Sequence, residues 1–211
     1  MGLARESSRS AGIGAAEWLF NPFRYVAGGA SLAIGLAAIL LAGTLGSFSK
    51  THFDGVLDVH TGLPAATWVF VAEGVIDWLS LGVVLFILGK LASRSAFRVL
   101  DLLGTQAMAR WPSVIIAAIT LLPSFQRFTA YMEWKFAGIG TAVQVEVMDL
   151  VVFTLAALVL VAAIVWMVAL MYRSYSVCSN MRGRKAAATF VTGVLVAEVV
   201  SKLVVLRMVA A

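Results

Sequence analysis

Five long apolar runs, separated by short polar connections, set the pattern of this chain. They lie at about 25–47, 66–89, 106–122, 148–172 and 186–206. An α-helix needs ~20 apolar residues to cross ~30 Å of hydrocarbon, so the pattern predicts five spanning helices. The first run carries no charge and is too long for a signal-peptide core. No cleavage site follows it, and it is read as retained. Small residues recur within it every four positions: Gly29, Ala33 and Ala37 on one stripe, Ser31 and Gly35 on another. Gly193, Ala197 and Ser201 repeat that spacing in the fifth run. Such stripes let helices approach closely. The third run is the shortest, and Pro112 near its start is a candidate kink.

The connections carry their own pattern. In residues 1–24, Ile13, Ala16, Phe20 and Phe23 recur at helical spacing beside Trp18, which predicts a short helix on the membrane surface ended by Asn21-Pro22. Between the second and third runs, Arg94, Arg98, Asp101 and Thr105 fall on one helical face and Phe97, Leu100 and Leu103 on another, which predicts an interfacial helix. The connection at 123–147 is rich in aromatics, from Phe125 to Phe136, a composition suited to the membrane–water boundary. The expected fold is all-α: one polytopic membrane domain over 25–211, a bundle of five transmembrane helices with flanking interfacial helices. No internal repeat supports an inverted-repeat transporter.

Composition agrees. The chain is 61% hydrophobic and 13% charged with mean hydropathy +0.95, against about 25% charged residues in a soluble domain. Its 211 residues leave no room for a separate soluble domain beside the spans. The net charge of +5 has no basic stripe behind it, which argues against a nucleic-acid partner. Cys178 is the one cysteine, so an intrachain disulfide, a Cys-Cys zinc site and a redox pair are excluded. It is a free thiol or, beside a basic juxtamembrane segment, a palmitoylation site.

Basic residues orient the bundle. Arg5, Arg9, Arg24, Lys90, Arg94, Arg98, Arg110, Arg173, Arg182, Arg184 and Lys185 fall in segments that alternate to one side. Only Lys50, Arg127, Lys135 and Arg207 fall on the other. Eleven against four places the N-terminus in the cytoplasm and the C-terminus on the outer or lumenal side. Arg94, Arg98, Arg182, Arg184 and Lys185 then face the lipid surface and attract anionic headgroups.

The acids concentrate on the opposite side. Glu73 and Asp77 lie one turn apart inside the second apolar run. A carboxylate near the bilayer centre costs ~2.5–3.5 kcal/mol on insertion scales, so a proton, a cation, a partner side chain or a wet cavity must offset it. Asp149 and Glu198 sit toward the same side of the fourth and fifth runs. Glu198 and Lys202 are spaced to pair at i and i+4, although Lys202 could instead serve Glu73 across the helix interface. These five residues form a candidate ion or proton site. His52, Asp54, Asp58 and His60 crowd the first outer connection and are candidate divalent-cation ligands, without a standard metal spacing. The bland alternative is a solvated loop with capping aspartates. No nucleophile elbow or phosphate-binding glycine loop is present, and two histidines cannot make a three-His zinc centre.

The run WLFNPFRY, the uncharged first span, HFDGVLDVH and an acidic second span ending in ILGK resemble bacterial membrane proteins of the Yip (Ypt-interacting protein) domain family. The five-span plan with a cytoplasmic N-terminus is similar too. The resemblance implies a small membrane protein that organises membranes through contacts with other membrane proteins. In eukaryotic members it implies Rab binding; their D-L-x-G-P-type signature is absent here, with NPF in that region.

Three functions follow as expectations. The first is a non-enzymatic organiser or adaptor that works through helix–helix contacts, including self-association. The second is a proton- or cation-coupled transporter or channel centred on Glu73 and Asp77. The third is a metal-dependent intramembrane hydrolase. No cofactor is required by the first; a divalent cation is the candidate for the others.

Overall fold

A computed structural model describes residues 14–210. Arg5, Glu6, Arg9 and Ile13 of the expected surface segment lie outside the described residues. Most of the described residues are helical. It opens with α1 (Ala15–Phe20), a 3-10 turn (Pro22–Arg24) and α2 (Gly28–Ser49). A two-stranded hairpin follows, β1 (Thr51–His52) and β2 (His60–Thr61), and then α3 (Thr67–Ala92). α4 (Val99–Met108), α5 (Pro112–Thr120) and α6 (Pro123–Met132) come next. A π-helical turn (Glu133–Ala137) leads to α7 (Val147–Ser179) and α8 (Gly183–Ala210).

Five segments are long and apolar enough to cross a membrane: α2, α3, α4 with α5, α7 and α8. The protein is an integral membrane protein. The third span differs most from the sequence pattern. It starts at Val99, not near 106, and bends at Ala109–Trp111, where Pro112 begins α5. The expected interfacial helix is therefore half of a span. Residues 93–98 are not helical, and Leu102, Thr105, Gln106 and Ala107 are fully buried. The polar face of α4 turns toward neighbouring helices instead of water. Gln106 Nε2 donates to the Met171 carbonyl (2.9 Å) and to Ser174 Oγ (3.0 Å), and Ser174 Oγ donates to Thr105 Oγ1 (2.7 Å). Lipid tails are as apolar as the side chains they touch, so packing and such hydrogen bonds drive association inside a membrane.

The third span is the hub. Of its apolar window 67% is buried, against 17% for α7, whose Leu155, Leu158 and Val165 face outward. Of the two small-residue stripes on α2, only one is a packing face. Ser31 and Gly35 are buried, whereas Gly29, Ala33 and Ala37 are exposed. A methyl group on Gly35 would run into the backbone of Ala107 and Met108. Gly193, Ala197 and Ser201 of α8 are buried against α3, with Gly193 under Leu85. At the far end, Ser93 Oγ donates to the Ser179 carbonyl (2.6 Å), tying the end of α3 to the turn before α8. The aromatic connection folds back on α7, with Phe125 stacked on Phe153 and Phe128 tilted against it. α1 also leans on α7, where Trp166 Nε1 donates to the Leu19 carbonyl (3.0 Å).

Candidate functional site: an acidic hairpin clamped to two spans

The connection between α2 and α3 is not helical. It leaves α2 through Lys50, in the left-handed region at φ 56°, and pairs antiparallel, with Thr51 opposite Thr61 and His52 opposite His60. That register stacks the two imidazoles at 5.7 Å and stacks His52 on Phe70 at 4.3 Å. It turns the polar side chains of the hairpin down onto the first turns of α3 and the last turns of α8.

Glu73 is 2% exposed and fully partnered. His52 Nδ1 lies 2.8 Å from its Oε1, and the Phe53 N–H donates to its Oε2 at 3.3 Å. His52 Nε2 meets the Leu63 carbonyl at 2.9 Å. A carbonyl only accepts, so Nε2 carries a proton. Nδ1 faces the Glu73 carboxyl. The hydrogen bond to Glu73 accordingly raises the His52 pKa above its ordinary value. Lys202 does not reach Glu73 as partner. It bonds Asp58 Oδ2 at 2.5 Å and lies 3.6 Å from Glu198 Oε1, the i, i+4 neighbour. Glu198 Oε2 accepts the Leu57 N–H at 3.1 Å. Lys202 holds the Asp58 carboxyl below its usual range, while burial pushes Asp54 up.

Asp77 is fully buried, ten residues into α3 and thus ~15 Å along its axis. It accepts a hydrogen bond from Ser201 Oγ, and Arg110 Nη1 stands 3.9 Å away. Arg110, expected in a cytoplasmic connection, lies 5% exposed at the bend of the third span. It leaves the basic count of that side, which keeps the majority. Asp149 stands apart from the acidic cluster. It caps α7 with Glu146 and is gripped by Arg127, with Nε at 3.1 Å and Nη2 at 2.5 Å.

The expected ion site therefore divides. Glu73, Asp77 and the Glu198–Lys202 pair share the α3–α8 seam, whereas Asp149 belongs to α6 and α7. The expected four-ligand metal set also loses a member, because both His52 nitrogens are engaged. Asp54, Asp58 and His60 remain together, with ligand atoms within 4.8 Å of one another. His60 Nδ1 is 3.4 Å from Asp54 and 3.5 Å from Asp58. These three could seat a cation beside Lys202. Beneath them a cavity of about 710 Å³ is walled by Trp68, Val69, Val205, Leu206 and Val209 and floored by His52, Asp54, Glu73 and Lys202.

Three partners were not singled out from the sequence as site residues: Arg110, Arg127 and Ser201. A signal existed for Arg110. It sits two residues before Pro112, and Asp77 needed a cation at its depth. Arg94, Arg98, Arg182, Arg184 and Lys185 are all exposed, at the Ser93–Ser179 end away from the hairpin. No family model, curated protein or solved structure matches this chain.

Proposed function

We propose that this integral membrane protein is a non-enzymatic organiser of the bilayer and of neighbouring membrane proteins, as the resemblance to Yip domain proteins implies. One observation carries the reading: Glu73, Asp77, Glu198 and Asp149 are each engaged by a neighbouring group of the protein. Glu73 is held by His52 and Phe53, Asp77 by Ser201 and Arg110, Glu198 by Leu57 and Lys202, and Asp149 by Arg127. Apart from Glu198–Lys202, one turn apart on α8, these contacts join different elements. The acids thus act as staples that fix the hairpin across α3 and α8, and the bundle presents a rigid apolar surface to lipid and partners. The excess of basic residues at the Ser93–Ser179 end supports a cytoplasmic N-terminus, and the resemblance supports a bacterial membrane.

Reconstitution tests this reading. Purified protein in vesicles should change vesicle shape in proportion to protein content, as seen by cryo-electron microscopy. Vesicles that keep their shape at every loading would remove it. A second reading, proton- or cation-coupled transport, is favoured by one feature: the 710 Å³ cavity ends on the His52–Glu73 pair. It requires protein-dependent ion flux that Glu73→Gln abolishes.

A further inference from the structure

The other end of the bundle holds a second concavity with the opposite charge. About 540 Å³ in volume, it lies where the 3-10 turn, the end of α7 and the start of α8 converge. Arg24 from the 3-10 turn, Arg173 from α7 and Arg182 from the turn before α8 line it, together with Asn21, Tyr172 and Asn180. Among the described residues the one acid paired with these arginines is Glu17, 3.7 Å from Arg24 and exposed. Arg173 and Arg182 make no ion pair among the described residues. The Asn21 side-chain oxygen is buried without a hydrogen-bond partner. Turned over, that amide offers an N–H into the same space.

Depth sets the ligand class. α7 has 33 residues and is ~50 Å long, more than the ~30 Å hydrocarbon core. Its charge-free run, from Leu150 to Tyr172, covers ~35 Å. Arg173 is the first charge beyond that run, at the level of lipid phosphates. Guanidinium groups bind phosphate oxygens in bidentate fashion, and three from separate segments can converge on one phosphate. Basic pockets between spanning helices at this level are suited to anionic headgroups.

We propose that the Arg24–Arg173–Arg182 concavity binds a phosphate group, presented by an anionic phospholipid headgroup. It differs from general attraction to the membrane surface in placing Arg173 and Arg24 inside the site and Arg184 and Lys185 outside it. The proposal is independent of the reading of the acids at the hairpin end.

Native mass spectrometry of the purified full chain tests it. Phosphatidylglycerol, phosphatidylcholine and inorganic phosphate serve as probes. Wild-type protein should retain phosphatidylglycerol in preference to phosphatidylcholine. Arg173→Gln with Arg182→Gln should weaken that retention at least about tenfold. Arg184→Gln with Lys185→Gln, an equal loss of charge outside the cavity, should leave it near wild type. Failure of inorganic phosphate to displace the lipid supports the headgroup as source; displacement supports the phosphate site with a soluble phosphate as occupant. Equal retention of both lipids with no phosphate bound, or equal losses in the two double variants, would overturn the proposal. Thermal unfolding of each variant in the same detergent confirms that the comparison is between folded proteins.

Discussion

The Arg110 guanidinium stands 3.9 Å from the Asp77 carboxylate, and both side chains are buried in the middle of the bundle. Removing one member leaves the other charged and uncompensated, a loss of ~3–5 kcal/mol. Arg110→Met should therefore lower the thermal unfolding temperature strongly. Arg110→Met with Asp77→Leu should recover most of the loss, because an apolar pair of similar volume replaces a buried ion pair at little cost. The measurement is a double-mutant cycle in detergent, in which additive losses would contradict the pairing.

The His52–Glu73 bond makes stability pH-dependent. His52 has a raised pKa in the folded protein, so its contribution is fully present below the unfolded value of ~6.5 and is lost as pH rises through the folded value. Glu73→Gln should cost ~1.5–3 kcal/mol at pH 6, the worth of a hydrogen bond to a charged group. It should also flatten the decline of stability on the alkaline side of ~6.5. Unfolding temperatures of both proteins across that range check this.

Asp58 behaves in the opposite sense. Lys202 lowers its pKa, so its contribution is present at neutral pH and is lost as pH falls below ~4 through the folded value. Both side chains are about a third or more exposed, at 34% and 44%, and solvent screening limits the effect. Lys202→Met should lower the unfolding temperature slightly at pH 7 and almost not at all in strong acid. Acid unfolding curves of the variant and the wild type should converge.

Packing on α2 is one-sided. Gly35→Val should destabilise the bundle by ~3 kcal/mol or more, since the added carbons meet the backbone of α4, which cannot shift as a side chain could. Gly29→Val, with nothing within 4 Å of the added carbon, should change stability by less than ~0.5 kcal/mol. Equal effects at the two positions would contradict the observed face.

The five spans are legible in the sequence because apolar length is a local property. The third span is misjudged by seven residues at its start because Arg94, Arg98, Asp101 and Thr105 look like a water-facing stripe, and nothing local reveals that Thr105 will meet Ser174. The two stripes on α2 are equivalent as spacing; only the approach of Ala107 decides between Gly35 and Gly29. Glu73 and Asp77 stand out at once, since acids in an apolar run demand compensation. Their partners do not stand out. His52 reaches Glu73 only through a hairpin whose register is set by tertiary contact, and Arg110 reaches Asp77 only through the bend at Pro112.

The account rests on the acids of the spans being structural staples and not a path for ions. The most direct measurement is proton and monovalent-cation flux in vesicles containing purified protein, compared with protein-free vesicles and with vesicles containing Glu73→Gln with Asp77→Asn. Wild-type vesicles should leak no faster than protein-free ones, and the variant should differ from wild type in thermal stability alone. Flux that rises with protein content and disappears in the variant would contradict it.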